Sequence, residues 1–452
     1  MRVLIQLRPS PDVVAAVADP GATATTADVA DGLPGVALDH SFTPVAVPRP
    51  VPATGGDPLS LNQALTFSLA AEDATVMVRG EISDDELSTR MTLLPALHRD
   101  VVAVFADPVI EPNPTCGGDG PVGDWHDVER LLDVAGLGAE GMDGSGVALA
   151  VLDTGVNTAH VTRRLGRDLT LDAARSWNPD GVDGTPGGFP VDHGSMCAFD
   201  ALIAAPRATL LDLPVLLSRR PGGSAMDGML SDAVAAFAHL RTVLAAQPAE
   251  SRALVITNSW GSFSPRWDFP VGHPGNYSDN PAHPFNLIVS SLEQAGADVL
   301  FAAGNCGREC RDSRCAYPDR PITGANSHPG VLSIGGVDTA GERVGYSSQG
   351  PGRLASRKPD ICSYTHFSGS GAFGDREPDS GTSAACPVAA GVVAAVRTVW
   401  PASRLAPAQL RTLLRRTADD RSDVGFDFDY GYGVIDTAGV AASLRRRAAR
   451  VA

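Results

Sequence analysis

The 452-residue sequence has no run of about 18 or more apolar residues, so no membrane-spanning helix is expected. At its N-terminus only the short segment Val3–Leu7 precedes Arg8, too little for the hydrophobic core of a secretory signal. A cytoplasmic protein with no membrane partner is the expectation. Basic residues are also in deficit: 36 Lys and Arg against 52 Asp and Glu give a net charge of −16, which argues against nucleic acid or an anionic surface as a partner. Seven cysteines, an odd number in a long chain, define no disulfide framework, and reduced thiols are the default without an export signal. No internal repeat is apparent. What remains is globular: 43% hydrophobic and 19% charged residues, in a chain long enough for two or three domains and one large core.

Residues 1–110 read as a small α/β module: a strand from Arg2 to Leu7, a short helix from Asp12, and Gly/Pro-rich loops around a strand near Phe42–Val47. Strand 74–78, helix 83–94 with Ser83 and Glu86 as a capping box, and strand 101–105 follow. This β-α-β-β-α-β order predicts a ferredoxin-like α+β unit. Residues 111–123, rich in Pro and Gly, form a linker, and residues 124–450 a second domain. There, Trp125–Leu137 and Ser231–Leu244 read as helices. Apolar strands at 147–152, 208–215, 254–258, 299–303 and 331–337 alternate with helices, which predicts a doubly wound, mainly parallel sheet in three layers.

Three positions stand at the ends of these elements. Asp153 closes the run Val147–Leu152, His193 opens the apolar helix 193–205, and Ser383 opens the small-residue helix that runs to Trp400. A doubly wound sheet gathers such ends at one rim. Their chemistry is complementary: a serine hydroxyl becomes a nucleophile when a histidine takes its proton, and a carboxylate fixes and stabilises the imidazolium. The other histidines, His40, His98, His160, His239, His273, His283, His328 and His366, lie in loops or on helix surfaces in this reading.

With Val151-Leu152-Asp153-Thr154-Gly155, His193-Gly194-Ser195, Asn258-Ser259-Trp260-Gly261, Ala302-Ala303-Gly304-Asn305, Lys358-Pro359-Asp360-Ile361 and Gly381-Thr382-Ser383-Ala384 in that order, the chain resembles the subtilisin-like serine peptidases over residues 147–440. The resemblance implies a serine endopeptidase in which Asp153 orients, His193 is the acid/base and Ser383 the nucleophile. Asn305 and the Ser383 N–H then form the oxyanion hole. It implies that Ser259, Trp260 and Gly261 pair with a peptide or protein substrate added as a strand, that Ala302, Ala303 and Gly304 line the pocket beside the cut bond, and that Trp260 narrows that pocket. Ser195, Met196 and Ala384 depart from the family's usual Thr, His and Met, placing the chain in a divergent branch.

The resemblance also makes the N-terminal module a propeptide-type partner that docks on the peptidase and restrains it, with cleavage near 111–123. No cofactor is required for the chemistry and no metal site is assigned; structural calcium is frequent in the family, yet the carboxylates of 178–192 spell no coordination pattern. Two rival readings are a catalytically silent peptide-binding relative and a peptide-maturing transpeptidase. Cys306, Cys310 and Cys315 can hold a metal, form one disulfide beside a free thiol, or stay reduced; Cys197 and Cys386 read as inert core thiols.

Overall fold

The computed structural model describes residues 1–452 except 20, 23, 53–64, 69, 71–72, 88–93, 95, 97, 113–114, 116–119, 218–225 and 452. The N-terminal strands are β1 (Arg2–Leu7), β2 (Ala37–Leu38), β3 (Val45–Val47), β4 (Arg49–Pro52), β5 (Leu65–Ser68), β6 (Thr75–Glu81), β7 (Val101–Ala106) and β8 (Val109–Ile110). β1 lies between β6 and β7, antiparallel to both, and β2 and β3 pair with the far edge of β6. The helix expected over 83–94 falls in part outside the described residues.

The second sheet is seven-stranded and parallel throughout, built from β9 (Ala148–Leu152), β10 (Thr170–Leu171), β11 (Thr209–Leu213), β13 (Leu254–Asn258), β14 (Ala297–Ala302), β15 (Leu332–Val337) and β16 (Ile361–Tyr364). Its order is β10-β11-β9-β13-β14-β15-β16, with the short strand β12 (Gly228–Met229) outside it. Successive strand residues face opposite layers. Leu149, Val151 and Val255 pack with the His193–Ala204 and Thr382–Val399 helices. Ala148, Ala150, Leu152, Leu254 and Ile256 pack with the Leu230–Ala246 and Pro284–Ala295 helices. This is the three-layer α/β arrangement that the strand and helix alternation predicts.

Several local readings change. The helix expected over Trp125–Leu137 is two, Trp125–Leu131 and Val134–Ala139, broken at Asp133, whose φ of 44° is left-handed; its side chain accepts from the Gly136 N–H and starts the second piece. His283 and His328 are buried, not surface residues: His283 bonds the Ala106 carbonyl, and His328 meets the Ser290 hydroxyl at 2.9 Å. Burial pushes both imidazoles down to about 3, so they stay neutral. One described helix, Thr382–Val399, has the length and apolar composition to cross a membrane by those two measures alone; 89% of that stretch is buried inside the protein, where it is the central core helix. It lies against the His193–Ala204 helix so closely that a Cβ on Gly391 would come within 2.2 Å of the Ala201 carbonyl.

The N-terminal sheet covers the helical layer opposite the core helix. Leu4, Met77 and Phe105 on one of its faces join the cluster containing Phe237, Phe285 and Ile288, while Val3, Ile5, Val78 and Val104 form a separate core on the other face. The buried Arg79 guanidinium, paired with Asp39 of its own module at 2.8 Å, meets Asp232 at 3.1 Å and the Ser231 hydroxyl at 3.1 Å across the junction. Asp107 accepts from the Ser231 N–H at 2.7 Å and its hydroxyl at 2.9 Å, capping the Leu230–Ala246 helix from the other side of the junction.

Candidate active site

Asp153 leaves the end of β9 buried, and its Oδ1 lies 2.8 Å from His193 Nδ1. Local structure holds both partners. The Thr154 N–H donates to Asp153 Oδ1 at 2.8 Å, and the Thr154 hydroxyl accepts from the Gly194 N–H at 2.9 Å. A Cβ on Gly194 would stand 2.5 Å from the Gly155 carbonyl, so only glycine lets the helix start come this close to the strand end. Burial alone would lower the His193 pKa; the charge and hydrogen bond of Asp153 outweigh it and raise it.

Ser383 is the second residue of the Thr382–Val399 helix, near its positive end. Four residues on, Pro387 has no N–H to give the Ser383 carbonyl. That carbonyl is taken instead by the Ser259 hydroxyl at 2.9 Å and the Cys197 thiol at 3.6 Å. The same thiol lies 3.5 Å from Asp153 Oδ2 and 3.8 Å from His193 Nδ1, so one sulfur touches the elements carrying all three groups. Cys197 is the buried, unreactive core thiol expected from the sequence, and in addition its S–H reaches the site. Asp153, His193 and Cys197 offer ligand atoms within 4.8 Å of one another, but burial and then the Asp153 charge push the thiol well up, so it serves as an S–H donor rather than a thiolate ligand. The Ser383 hydroxyl donates to the Ser259 carbonyl at 3.3 Å, and among the described residues no bond between it and the His193 ring is formed in this conformation.

Asn305 follows β14 and is oriented by its neighbours. Its Oδ1 accepts from the Thr382 N–H at 2.8 Å and the Thr382 hydroxyl at 2.9 Å, which assigns the other terminus of the amide as the N–H₂. That nitrogen would lie 2.7 Å from a Cβ placed on Gly381, beside the start of the serine's helix.

The cleft edge is already paired. Gly261 exchanges both backbone bonds with Glu111, at 3.1 and 3.0 Å, while β8 just before it pairs antiparallel with β12. The start of the expected linker is therefore an added strand, and further on Thr115 lies beside Gly381, with its Cγ2 3.3 Å from a Cβ placed there. Trp260 corrects an expectation: its ring points into the core against Phe285 and Phe301, and its Nε1 donates to the Leu152 carbonyl at 3.1 Å, so it offers the cleft backbone only and narrows no pocket. Ala302, Ala303 and Gly304 are buried at the end of β14. Asn326, which carried no signal in the sequence, clamps the two edges together by donating to the Trp260 carbonyl at 2.8 Å and the Ala302 carbonyl at 2.9 Å. Phe373, also unforeseen, is 47% exposed with its ring centroid 6.5 Å from that of His193, an apolar wall at the mouth of the site.

Behind His193 lie two further carboxyls. Asp200 is fully buried on the same helix, and neither of its oxygens meets an N–H or O–H donor among the described residues; its neighbour is Asp379. Asp379 accepts from the Ser370 N–H and hydroxyl at 2.5 Å each. Burial pushes Asp379 up to about 6, and burial plus the Asp379 charge push Asp200 well above the usual carboxyl range. Two carboxylates in one dry space do not both ionise, so Asp200 keeps its proton and shares it. A carboxyl that binds its proton more tightly when folded loses stabilising power as pH rises from its unfolded pKa, near 4, to its folded pKa, by about 1.4 kcal/mol per pH unit. Asp200→Asn retains the shape and an N–H toward Asp379 but has no such slope. Its melting temperature is expected to exceed that of the wild type more at pH 8 than at pH 5; equal differences at the two pH values would contradict the shared proton.

A family model described as the subtilase family matches residues 144–433. Subtilisin DY of Bacillus licheniformis is 24% identical over 315 residues, covering 69% of this chain and 96% of that protein. An extracellular protease of Xanthomonas campestris pv. campestris is 28% identical over 411 residues, 82% of this chain and 64% of that protein. The human membrane-bound transcription factor site-1 protease is 34% identical over 166 residues, 34% of this chain and 14% of its own length. The family match and the subtilisin relatives define the class as serine endopeptidase, carried here on a parallel α/β sheet with a buried Asp–His pair at one strand end. The chain belongs to the subtilase family.

Proposed function

We propose that peptide bonds are cut through Asp153, His193 and Ser383, by an acyl-enzyme route that needs no cofactor. The observation that carries this is the buried 2.8 Å pair of His193 Nδ1 and Asp153, tied through Cys197 to the carbonyl of Ser383. With Nδ1 engaged, Nε2 is the free base. On peptide binding the Ser383 hydroxyl exchanges the Ser259 carbonyl for Nε2, gives up its proton and attacks the scissile carbonyl. The Asn305 amide and the Ser383 N–H receive the negative oxygen, His193 protonates the leaving amine, and water then releases the acyl group. Digestion of a peptide library with product masses tests it: each cleavage adds one water. Ligated or cyclised products would instead mark a transpeptidase, and unchanged peptides a silent binder.

The N-terminal module serves as a restraint in this reading. The Glu111–Gly261 pairing occupies the edge a substrate strand needs, and the Arg79 and Asp107 contacts hold the module against the helices beneath. The bonded state of Cys306 and Cys315, which form a disulfide, and of Cys310, which is disulfide-bonded as well, favours an oxidising compartment over the cytoplasmic one expected from the sequence. Intact mass with and without reductant reads both points. A chain cut within 111–123 is expected in active enzyme, and an uncut N-terminus at full activity would overturn the restraint.

A further inference from the structure

We propose that Arg314 reads an acidic side chain of the bound peptide, so that the enzyme prefers substrates carrying Glu or Asp at the position Glu111 takes in the cleft. The inference rests on the peptidase reading of the site and adds a substrate class to it.

Both backbone bonds between Glu111 and Gly261 fix the register, so this residue's side chain has one place to go. Its carboxylate is nearly buried, with 8% of the side chain exposed, and Arg314 Nη1 lies 3.5 Å from its Oε1. A carboxylate taken out of water at a strand-pairing edge is favoured by a cation nearby, and the Arg314 guanidinium is one that reaches it.

The loop that carries Arg314 is built to present it. It starts directly after Asn305, is closed by the Cys306–Cys315 disulfide with the two Cα atoms 5.6 Å apart, and Cys310 inside it is disulfide-bonded too. Arg311 turns inward and donates to the carbonyls of Cys315 and Tyr317, stiffening the loop from within. Arg314 is held by Asp312, whose Oδ1 accepts from its N–H at 2.8 Å and its Nε at 3.2 Å, which leaves Nη1 directed at the cleft. At 46% exposure the guanidinium is open to solvent on one side, so the expected selectivity is moderate, about three- to tenfold in kcat/KM for Glu over Gln at that position.

The test is a peptide library digested by the wild type and by the charge reversal Arg314→Glu, each after cleavage within 111–123 has freed the Gly261 edge, with cleavage sites mapped by mass. Wild type is expected to enrich Glu and Asp at one fixed distance on the N-terminal side of the cut. Arg314→Glu is expected to enrich Lys and Arg at that same distance with the other positions unaltered, a reversal that a purely structural role for the loop would not produce. A wild type with no acidic enrichment, or an Arg314→Glu enzyme that retains it, would overturn the inference while leaving the peptidase reading intact. A wild type that neither cleaves the library nor takes a fluorophosphonate on Ser383 would overturn that reading and the inference with it.

Discussion

Ser383→Ala is expected to lower kcat by roughly 10⁶-fold while leaving the fold intact, a scale inherited from a subtilisin nucleophile rather than calculated for this chain. The fold is expected to survive because the hydroxyl's one described bond, to the Ser259 carbonyl at 3.3 Å, is weak, and the neighbouring contacts run through the Ser383 carbonyl, which alanine keeps. On the proposed mechanism the residual rate is expected from Asn305 and the helix N-terminus, which would still stabilise the oxyanion. Steady-state kinetics on a peptide cut by the wild type checks this, with circular dichroism as the control for folding. A loss below about a hundredfold would mean that another group attacks.

The largest effect on stability is expected at Arg397, far from the chemistry. Its guanidinium is fully buried near the end of the core helix and grips Asp298 of β14 with two bonds, at 2.5 and 2.7 Å. Its Nη1 donates to the carbonyls of Trp400 and Leu405. Arg397→Met leaves the Asp298 carboxylate buried without its partner and is expected to cost about 3–5 kcal/mol. Replacing Asp298 by Leu as well removes the stranded charge, so the double variant is expected to recover much of the loss, read as the urea midpoint. Equal losses in the single and double variants would show that packing, not charge, sets the effect.

Much of this site was legible because its signals are local. Asp153 stands out where the apolar run Val147–Leu152 ends, His193 where glycine follows at a helix start, and Ser383 where a small-residue helix begins. Asn305 is legible in the same way, as the polar residue closing β14. Contacts that depend on distant chain segments were not. Cys197 is one helical turn beyond His193, and only the approach of the core helix, freed at Pro387 to share its Ser383 carbonyl, makes that thiol part of the site. Trp260 could not be aimed from the sequence, because its direction depends on Phe285 and Phe301 in the layer beneath. Glu111 and Arg314 lie 203 residues apart, and Asp200 and Asp379 belong to different segments, so neither pairing leaves a pattern in spacing. The break at Asp133 was missed because aspartate rarely adopts φ above zero, and only its cap on Gly136 explains the exception.

The most direct measurement of the central claim is the site and rate of fluorophosphonate attachment in wild type and in His193→Ala. A single adduct on the peptide bearing Ser383, formed far more slowly when the imidazole is gone, is the expected result. An adduct elsewhere, or one on Ser383 whose rate ignores His193, would contradict the account.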